Sequence, residues 1–341
     1  MNIEIVTTPN DNLKETGFGP HLVCQGIMQS LLDTNHIAVV TVCDTIFDLY
    51  SVVQRKPDLV VIVVKYILLE NDEKLWLSDF FEENDVAYTG SEKHNLSYDS
   101  DKVSAKLQVS SKGIDTTNYF VTLPGQYRSE EELPLSFPLF IKPSDSANGN
   151  GVDLNSLVHD FEHYREKVKS IHDQYDENVL VEAYLEGAEF TVAVIENAGE
   201  LIVAPVEIIP PEEGGIRILG SKVKKENTEI LKLITDADIL SKVIDIAEKS
   251  FRALGARDFG RIDIKMDDRG QCHFIEANLV PGMKRNSSYF PRACEMSSGL
   301  DYDAVVSLMI QGAIGRTAIE FASEDCLPYT SAGSSQSNAV V

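Results

Sequence analysis

The stretch from Gly260 to Met283, GRIDIKMDDRGQCHFIEANLVPGM, holds the densest set of residues in this chain that could do chemistry. It reads as two strands joined by the turn Asp267-Asp268-Arg269-Gly270. Alternation puts Ile262, Ile264 and Met266 on one face and Arg261, Asp263 and Lys265 on the other. If Met266 pairs with Gln271, Glu276 falls opposite Arg261 with Asn278 next along, so two carboxylates, an amide and a guanidinium converge. Asp263, Glu276 and Asn278 are the kind of oxygen-donor set that hard Mg²⁺ ions take, completed by water and substrate phosphates. The other reading is a solvated hairpin face with an ordinary ion pair. Spacing alone leaves the two open, and a one-residue slip of register scatters the group.

A second cluster lies upstream. In FPLFIKPSDSANGNGV a strand delivers Lys142 into a loop with Gly149 and Gly151, whose small residues let backbone N–H groups approach phosphate oxygens. A plain hairpin turn is the alternative for the glycines alone. Whole-chain charge bears on the ligand: 54 acidic residues against 30 basic give a net charge of -24, which repels a nucleic-acid backbone. A nucleotide is not excluded, because a few local lysines and N–H groups can neutralise its phosphates.

The elements that must position these groups follow from pattern. Length, 341 residues, allows two or three domains. From Asn2 to about Gly90, β-rich runs (Ile3 to Val6, Ile37 to Val42, Leu59 to Val64) alternate with helical stretches (Pro20 to Leu32, Lys74 to Asn84), which predicts a parallel sheet covered by helices. No G-x-G-x-x-G follows the first strand. A helix from about Asp99, a strand ending at Ile141, the glycine loop and an amphipathic helix from near Asn155 predict a small α+β lid. Strands at Phe190 to Ile195 and Leu201 to Ile209, a helix from about Ile239 to Leu254 stopped by Gly255, and the hairpin complete the pattern. The serine-rich tail after Phe321 has too little apolar content to pack. Five scattered cysteines without a C-x-x-C pair fit a reducing cytoplasm rather than a disulfide or zinc framework. The amino terminus has no basic region followed by a long apolar stretch, and the run Leu59 to Val64 is too short to span a bilayer.

The hairpin sequence, together with Lys142-Pro143-Ser144 and ENVLVEAYLEGAEFTVAVI, resembles the ATP-grasp signature of the D-alanine–D-alanine ligase family over roughly Ala87 to Ile319. The resemblance implies an α/β N-terminal domain at 1–95 and an ATP-grasp fold at 96–321, whose two α+β subdomains clamp ATP: a lid at about 112–184 and a metal-holding part at 185–321, followed by a mobile tail at 322–341. It implies an ATP-dependent ligase joining a carboxylate to an amine, in the cytoplasm, on small substrates such as amino acids, with a homodimer as the family expectation. Two Mg²⁺ ions, replaceable by Mn²⁺, would be bridged by Glu276, with Asp263 and Asn278 each serving one. Arg261 matches the donor that stabilises a developing oxyanion, and Ser287 a residue that binds a substrate carboxylate. Lys102 and Lys142 match phosphate ligands, Glu182, Tyr184 and Leu185 the hinge beside the adenine, and Glu189 the acid on the ribose hydroxyls.

Departures cluster at the substrate end. The family's glycine-glycine start and S-x-E-x-x-x-S segment are replaced by TTPNDNLKETGFGP, where Glu15 is a stand-in. In GGIRILGSKVKKEN, Lys222 is the candidate for the γ-phosphate, but Val223 stands where a tyrosine is usual. These changes motivate a rival, the same chemistry on other amino acids or a small metabolite. A second rival, a nucleotide-binding protein without turnover, has no use for the oxyanion donor Arg261. One decoy is set aside. His159 to His163 fits the H-x-x-E-H zinc pattern, but a helical stripe of Leu157, Phe161, Tyr164, Val168 and Ile171 turns both histidines outward.

Overall fold

The computed structural model describes residues 1–9, 17–70, 72–145 and 149–324, with side chains as far as Arg316. Glu15, the loop residues Ser146, Ala147 and Asn148, and the tail beyond Glu324 lie outside the described residues.

The chain opens with β1 (Asn2–Thr7), α1 (His21–Asp33), β2 (Ile37–Val42), α2 (Ile46–Arg55) and β3 (Leu59–Ile62), and the strands form a parallel sheet in the order β2-β1-β3. β1 and β3 are central or covered, so their Ile and Val residues are buried throughout, as parallel strands between helices require. α2 begins with a reciprocal capping box between Thr45 and Asp48. Next come β4 (Tyr66–Leu68), β5 (Lys74–Trp76) and α3 (Leu77–Glu83). The helix expected over Lys74 to Asn84 is therefore shorter: its first three residues pair with β4, fixed by the Tyr66–Trp76 ring contact at 5.5 Å, and the helix starts at Leu77. Helices α4 (Lys93–Ser100) and α5 (Lys102–Ser111) follow, with Asp101 capping α5 through Ser104 N–H.

β6 (Tyr119–Thr122), β7 (Leu139–Pro143), β8 (Leu157–Val158), α6 (Phe161–Tyr175) and β9 (Val179–Ala183) build a separate antiparallel sheet, ordered β6-β9-β7-β8. Its core is its own: Leu139, Ile141 and Val181 pack with Tyr164, Val168 and Ile171 of α6, apart from the main core. α6 starts at Phe161, not near Asn155, because Leu154–Ser156 forms a capped 3₁₀ turn and Leu157 pairs with β7 as a strand residue. Asp160 caps α6 by accepting the His163 N–H. His159 thus precedes the helix, and both histidines are exposed. Among the described residues no group of three or more His, Cys, Asp or Glu side chains is placed to hold a metal.

The remaining sheet is antiparallel, ordered β14-β11-β10-β15-β16, from β10 (Glu189–Asn197), β11 (Glu200–Ile209), β14 (Ile230–Lys232), β15 (Phe259–Met266) and β16 (Cys272–Asn278). Between β11 and β14 lie the small hairpin β12 (Glu212–Glu213) and β13 (Ile216–Arg217) and the short helix α7 (Ser221–Glu226). α8 (Ala237–Ala253), α9 (Tyr289–Ser298) and α10 (Tyr302–Glu324) cover this sheet, and α10 continues past Phe321, where a mobile tail is expected from composition. One apolar core runs from the three-stranded sheet into this one; Phe18 meets Phe259 at 5.6 Å. Among the described residues no helix is long and apolar enough to cross a membrane.

The β15–β16 hairpin corrects the expected register. Met266 pairs with Cys272 rather than Gln271, and Glu276 lies opposite Asp263 rather than Arg261. An uninterrupted ladder from Met266–Cys272 would set Ile275 against Asp263 and turn Glu276 to the other face. A bulge between the Ile264–Phe274 and Asp263–Glu276 pairs absorbs Ile275 and returns Glu276 and Asn278 to the face of Asp263 and Arg261.

Candidate active site

Two cavities meet along this hairpin. At their junction Asp263 is held from every side: its Oδ1 accepts from the Thr191 hydroxyl at 2.7 Å and from Arg261 Nε at 3.0 Å, and its Oδ2 from Arg261 Nη2 at 2.9 Å and Asn278 Nδ2 at 3.3 Å. Thr191 reaches it because β10 pairs Thr191 with Asp263. The Tyr289 ring lies 5.5 Å from the Arg261 guanidinium. Burial works against the Arg261 charge, but Asp263 outweighs it and raises the pKa above its ordinary value. Burial likewise works against a charged Glu276. Lys102, Lys142, Lys224 and Arg261 surround that carboxyl and hold it down to about 2, so it is an anion at neutral pH.

The first cavity, with about 850 Å³ of empty space, lies between the four-stranded sheet and the five-stranded sheet. Its floor is a buried charge cluster. Lys106 and Lys142 close on the two oxygens of Glu182 at 2.7 and 2.8 Å, and Lys106 also donates to Thr116 Oγ at 3.0 Å. Burial opposes the Glu182 charge, but the two lysines lower its pKa. Burial lowers Lys102 and Lys106; at Lys142 the nearby Glu182 and Glu276 overcome burial and raise it. The walls are apolar, with Tyr184 stacked on Phe140 at 6.4 Å and Leu185, Leu219 and Ile275 nearby. Glu189 sits at one end, 3.2 Å from Lys265.

The second cavity continues from Arg261 and Asn278 toward Ser287 and Lys65, which lies in the segment between β3 and β4. The Ser287 hydroxyl donates to Asn227 Oδ1 at 3.0 Å. Lys224 lines both cavities. Two loops meet above the cleft: a Cβ on Gly220 would sit 2.6 Å from the Val152 carbonyl oxygen, and Gly149, at φ +72°, lies against the same turn.

Of the residues singled out in the sequence, Lys102, Lys142, Glu182, Tyr184, Leu185, Glu189, Asp263 and Glu276 line the first cavity and Arg261, Asn278 and Ser287 the second. The side chain of Glu182, one of the expected hinge residues, turns inward as counter-ion to Lys106 and Lys142, and Glu182 lines the same cavity as Tyr184 and Leu185. Lys222 lines neither cavity and is exposed, since on α7 it projects about 200° away from Lys224, which faces the cleft. Lys106, Lys65 and Thr191 were not singled out from sequence. Lys106 carried a signal, being four residues beyond Lys102 on one helix face; Lys65 and Thr191 carried none, for they reach the site through tertiary pairing.

The family model described as D-ala D-ala ligase C-terminus matches residues 109–311. D-alanine--D-alanine ligase A of Mesorhizobium japonicum is 29% identical over 238 residues, which cover 68% of this chain and 65% of that relative. The match thus spans less than two thirds of the relative's length. Among solved structures, D-alanine--D-alanine ligase from Bacillus anthracis complexed with ATP superposes with a TM-score of 0.74 at 19% identity, covering 94% of this chain and 99% of the other. The VanG D-Ala:D-Ser ligase from Enterococcus faecalis gives 0.66 at 19% identity, covering 91% and 98%. The fold is therefore that of the ATP-grasp ligases.

Proposed function

The chain belongs to the D-ala D-ala ligase family, and on that premise we propose that it is an ATP-dependent ligase joining the carboxylate of one small substrate to the amine of another, both amino acids. The observation that carries the reading is the junction: a first cavity with lysines and apolar walls and a polar second cavity share Lys224 and abut at the Arg261–Asp263 pair.

In this reading ATP lies in the first cavity, with the adenine between the apolar walls at Tyr184 and Leu185 and the ribose hydroxyls at Glu189. Lys102 and Lys142 hold the phosphates, Lys142 being oriented by Glu182 and Lys106. Lys224, in place of Lys222, faces the phosphoryl group to be transferred. Asp263, Glu276 and Asn278 all carry oxygen, the donor that hard divalent cations take, and Glu276 is an anion; Asp263 would exchange one of its present donors, such as Asn278 Nδ2, for the ion. Mg²⁺ bound there would neutralise phosphate charge. The segment 112–184, with its own core, acts as the lid over ATP.

A substrate carboxylate oxygen attacks the γ-phosphorus; the bond to the β–γ bridging oxygen breaks, giving ADP and an acyl phosphate. An amine then attacks the acyl carbon, Arg261 facing the oxygen on which charge develops. Phosphate leaves and the nitrogen loses a proton. The activation is needed because a carboxylate is a poor electrophile. Ser287 holds a carboxylate of one of the amino acids.

The test is ADP release by purified protein with Mg²⁺, ATP and a panel of paired amino acids. Release that requires a pair and the metal is the expected result. Tight ATP binding with no pair-dependent ADP would favour a nucleotide-binding protein without turnover.

A further inference from the structure

Resting on the nucleotide site of the ligase reading, we infer that Lys106 is a positioning residue for the ATP phosphates: by neutralising Glu182 it leaves the charge of Lys142 free to face them. Lys106 stands on α5 with its side chain 0% exposed, and it lines neither cavity. Lys142 and Glu182 both line the first. Contact with a ligand is therefore not what the charge at Lys106 serves.

Register brings the three side chains together. β7 pairs Lys142 with Leu180 on β9, which puts Glu182 two residues along that strand on the face of Lys142, a diagonal that long side chains span. Lys106 arrives from outside this sheet and closes on Glu182 Oε1 at 2.7 Å, while Lys142 holds Oε2 at 2.8 Å. Thr116 Oγ fixes Lys106 in turn, accepting from its Nζ at 3.0 Å and donating to the Phe274 carbonyl at 2.9 Å. Charge decides the consequence. Two ammonium groups against one carboxylate leave the triad one positive charge in surplus, whereas a Lys142–Glu182 pair alone would sum to zero, its carboxylate competing with phosphate oxygens for the same ammonium. Burial lowers the Lys106 pKa, and the Glu182 carboxylate beside it acts against that. An uncharged side chain would fill the space without the cost of burying an ammonium.

Calorimetry with ATP and Mg²⁺ compares wild type, Lys106→Met and Lys106→Gln, and each of these two with Glu182→Gln added, all checked for folding by melting temperature. Lys106→Gln keeps a donor for Thr116 and so isolates the charge. Either single variant removes the surplus charge of the triad, and adding Glu182→Gln restores it. Each single variant is expected to weaken ATP by about tenfold or more, and the added Glu182→Gln to recover about threefold or more of that loss. Wild-type affinity in a folded single variant overturns the inference, as does a double variant that binds no more tightly than its parent, because removing a carboxylate cannot repair a merely structural defect. Failure of both single variants to fold would assign Lys106 to the fold and overturn it too. ADP release with paired amino acids is followed in parallel. Lys106-dependent ATP affinity without pair-dependent ADP sinks the ligase reading and leaves this inference standing, whereas a wild type that binds no ATP sinks both.

Discussion

Glu276 is the side chain on which the proposed chemistry would depend most, because Lys102, Lys142, Lys224 and Arg261 all act on its carboxyl. Glu276→Gln keeps the shape and removes the charge. We expect the protein to stay folded, with a loss of about 2 kcal/mol or less, which for a chain of this size is roughly 3 °C in melting temperature. Turnover should fall by about a thousandfold, since a neutral amide forfeits several kcal/mol of metal and phosphate stabilisation. Substantial ADP release from the folded variant would remove Glu276 from the mechanism. Lys142→Ala probes binding instead: losing one charge-assisted contact of about 1.5–3 kcal/mol weakens ATP roughly 10- to 100-fold. The deficit should shrink at high salt, which already erodes the attraction in wild type. Calorimetry at two salt concentrations checks both points, and unchanged affinity contradicts the assignment. Where a motif fixed the neighbours, as at Lys142, Glu189 and Asp263, the residues named from sequence do line one cavity. Lys222 is exposed on α7 whereas Lys224 lines both cavities, a difference of helix phase that a lysine-rich stretch does not reveal before folding.

At the scale of elements, the hairpin was legible and its register was not. Alternation on β15 is unbroken and the Asp267–Gly270 turn closes it, with Asp267 Oδ1 accepting the N–H groups of Arg269 and Gln271. A bulge leaves no mark in the alternation of polar and apolar residues, so the residue that absorbs the mismatch, Ile275, could not be identified beforehand. The start of α6 was misjudged for a related reason: Leu157 fits a helical stripe and a strand equally well, and pairing with β7 decides. The two loops over the cleft give an element-scale prediction. Gly220 has ordinary negative φ, so alanine strains nothing there except the approach to Val152, where its Cβ meets a backbone oxygen at 2.6 Å. Gly220→Ala should hold the loops apart, lower kcat about tenfold or more, and leave the melting temperature within a few degrees, because the contact is local. Wild-type kcat in this variant would show that the loops need not meet during turnover.

At the scale of the molecule, a strongly acidic chain lines its first cavity with Lys102, Lys142, Lys224 and Lys265, and the four-stranded sheet keeps a core apart from the one that joins the other two sheets. Composition announced the first feature only as a question of where the basic residues sit; the second followed from the change of pattern near Glu189 and from the resemblance. Both serve one claim, that ATP activates a carboxylate by γ-phosphoryl transfer at the junction of the two cavities. The products distinguish this from the other ATP route, because attack on the α-phosphorus gives AMP and pyrophosphate. With the acid substrate labelled by heavy oxygen in its carboxylate, ADP should be the nucleotide product and one labelled atom should pass to inorganic phosphate, since the bridging oxygen of the acyl phosphate departs with the phosphate. Label in AMP, or pyrophosphate among the products, would contradict the account even with every binding residue correctly placed.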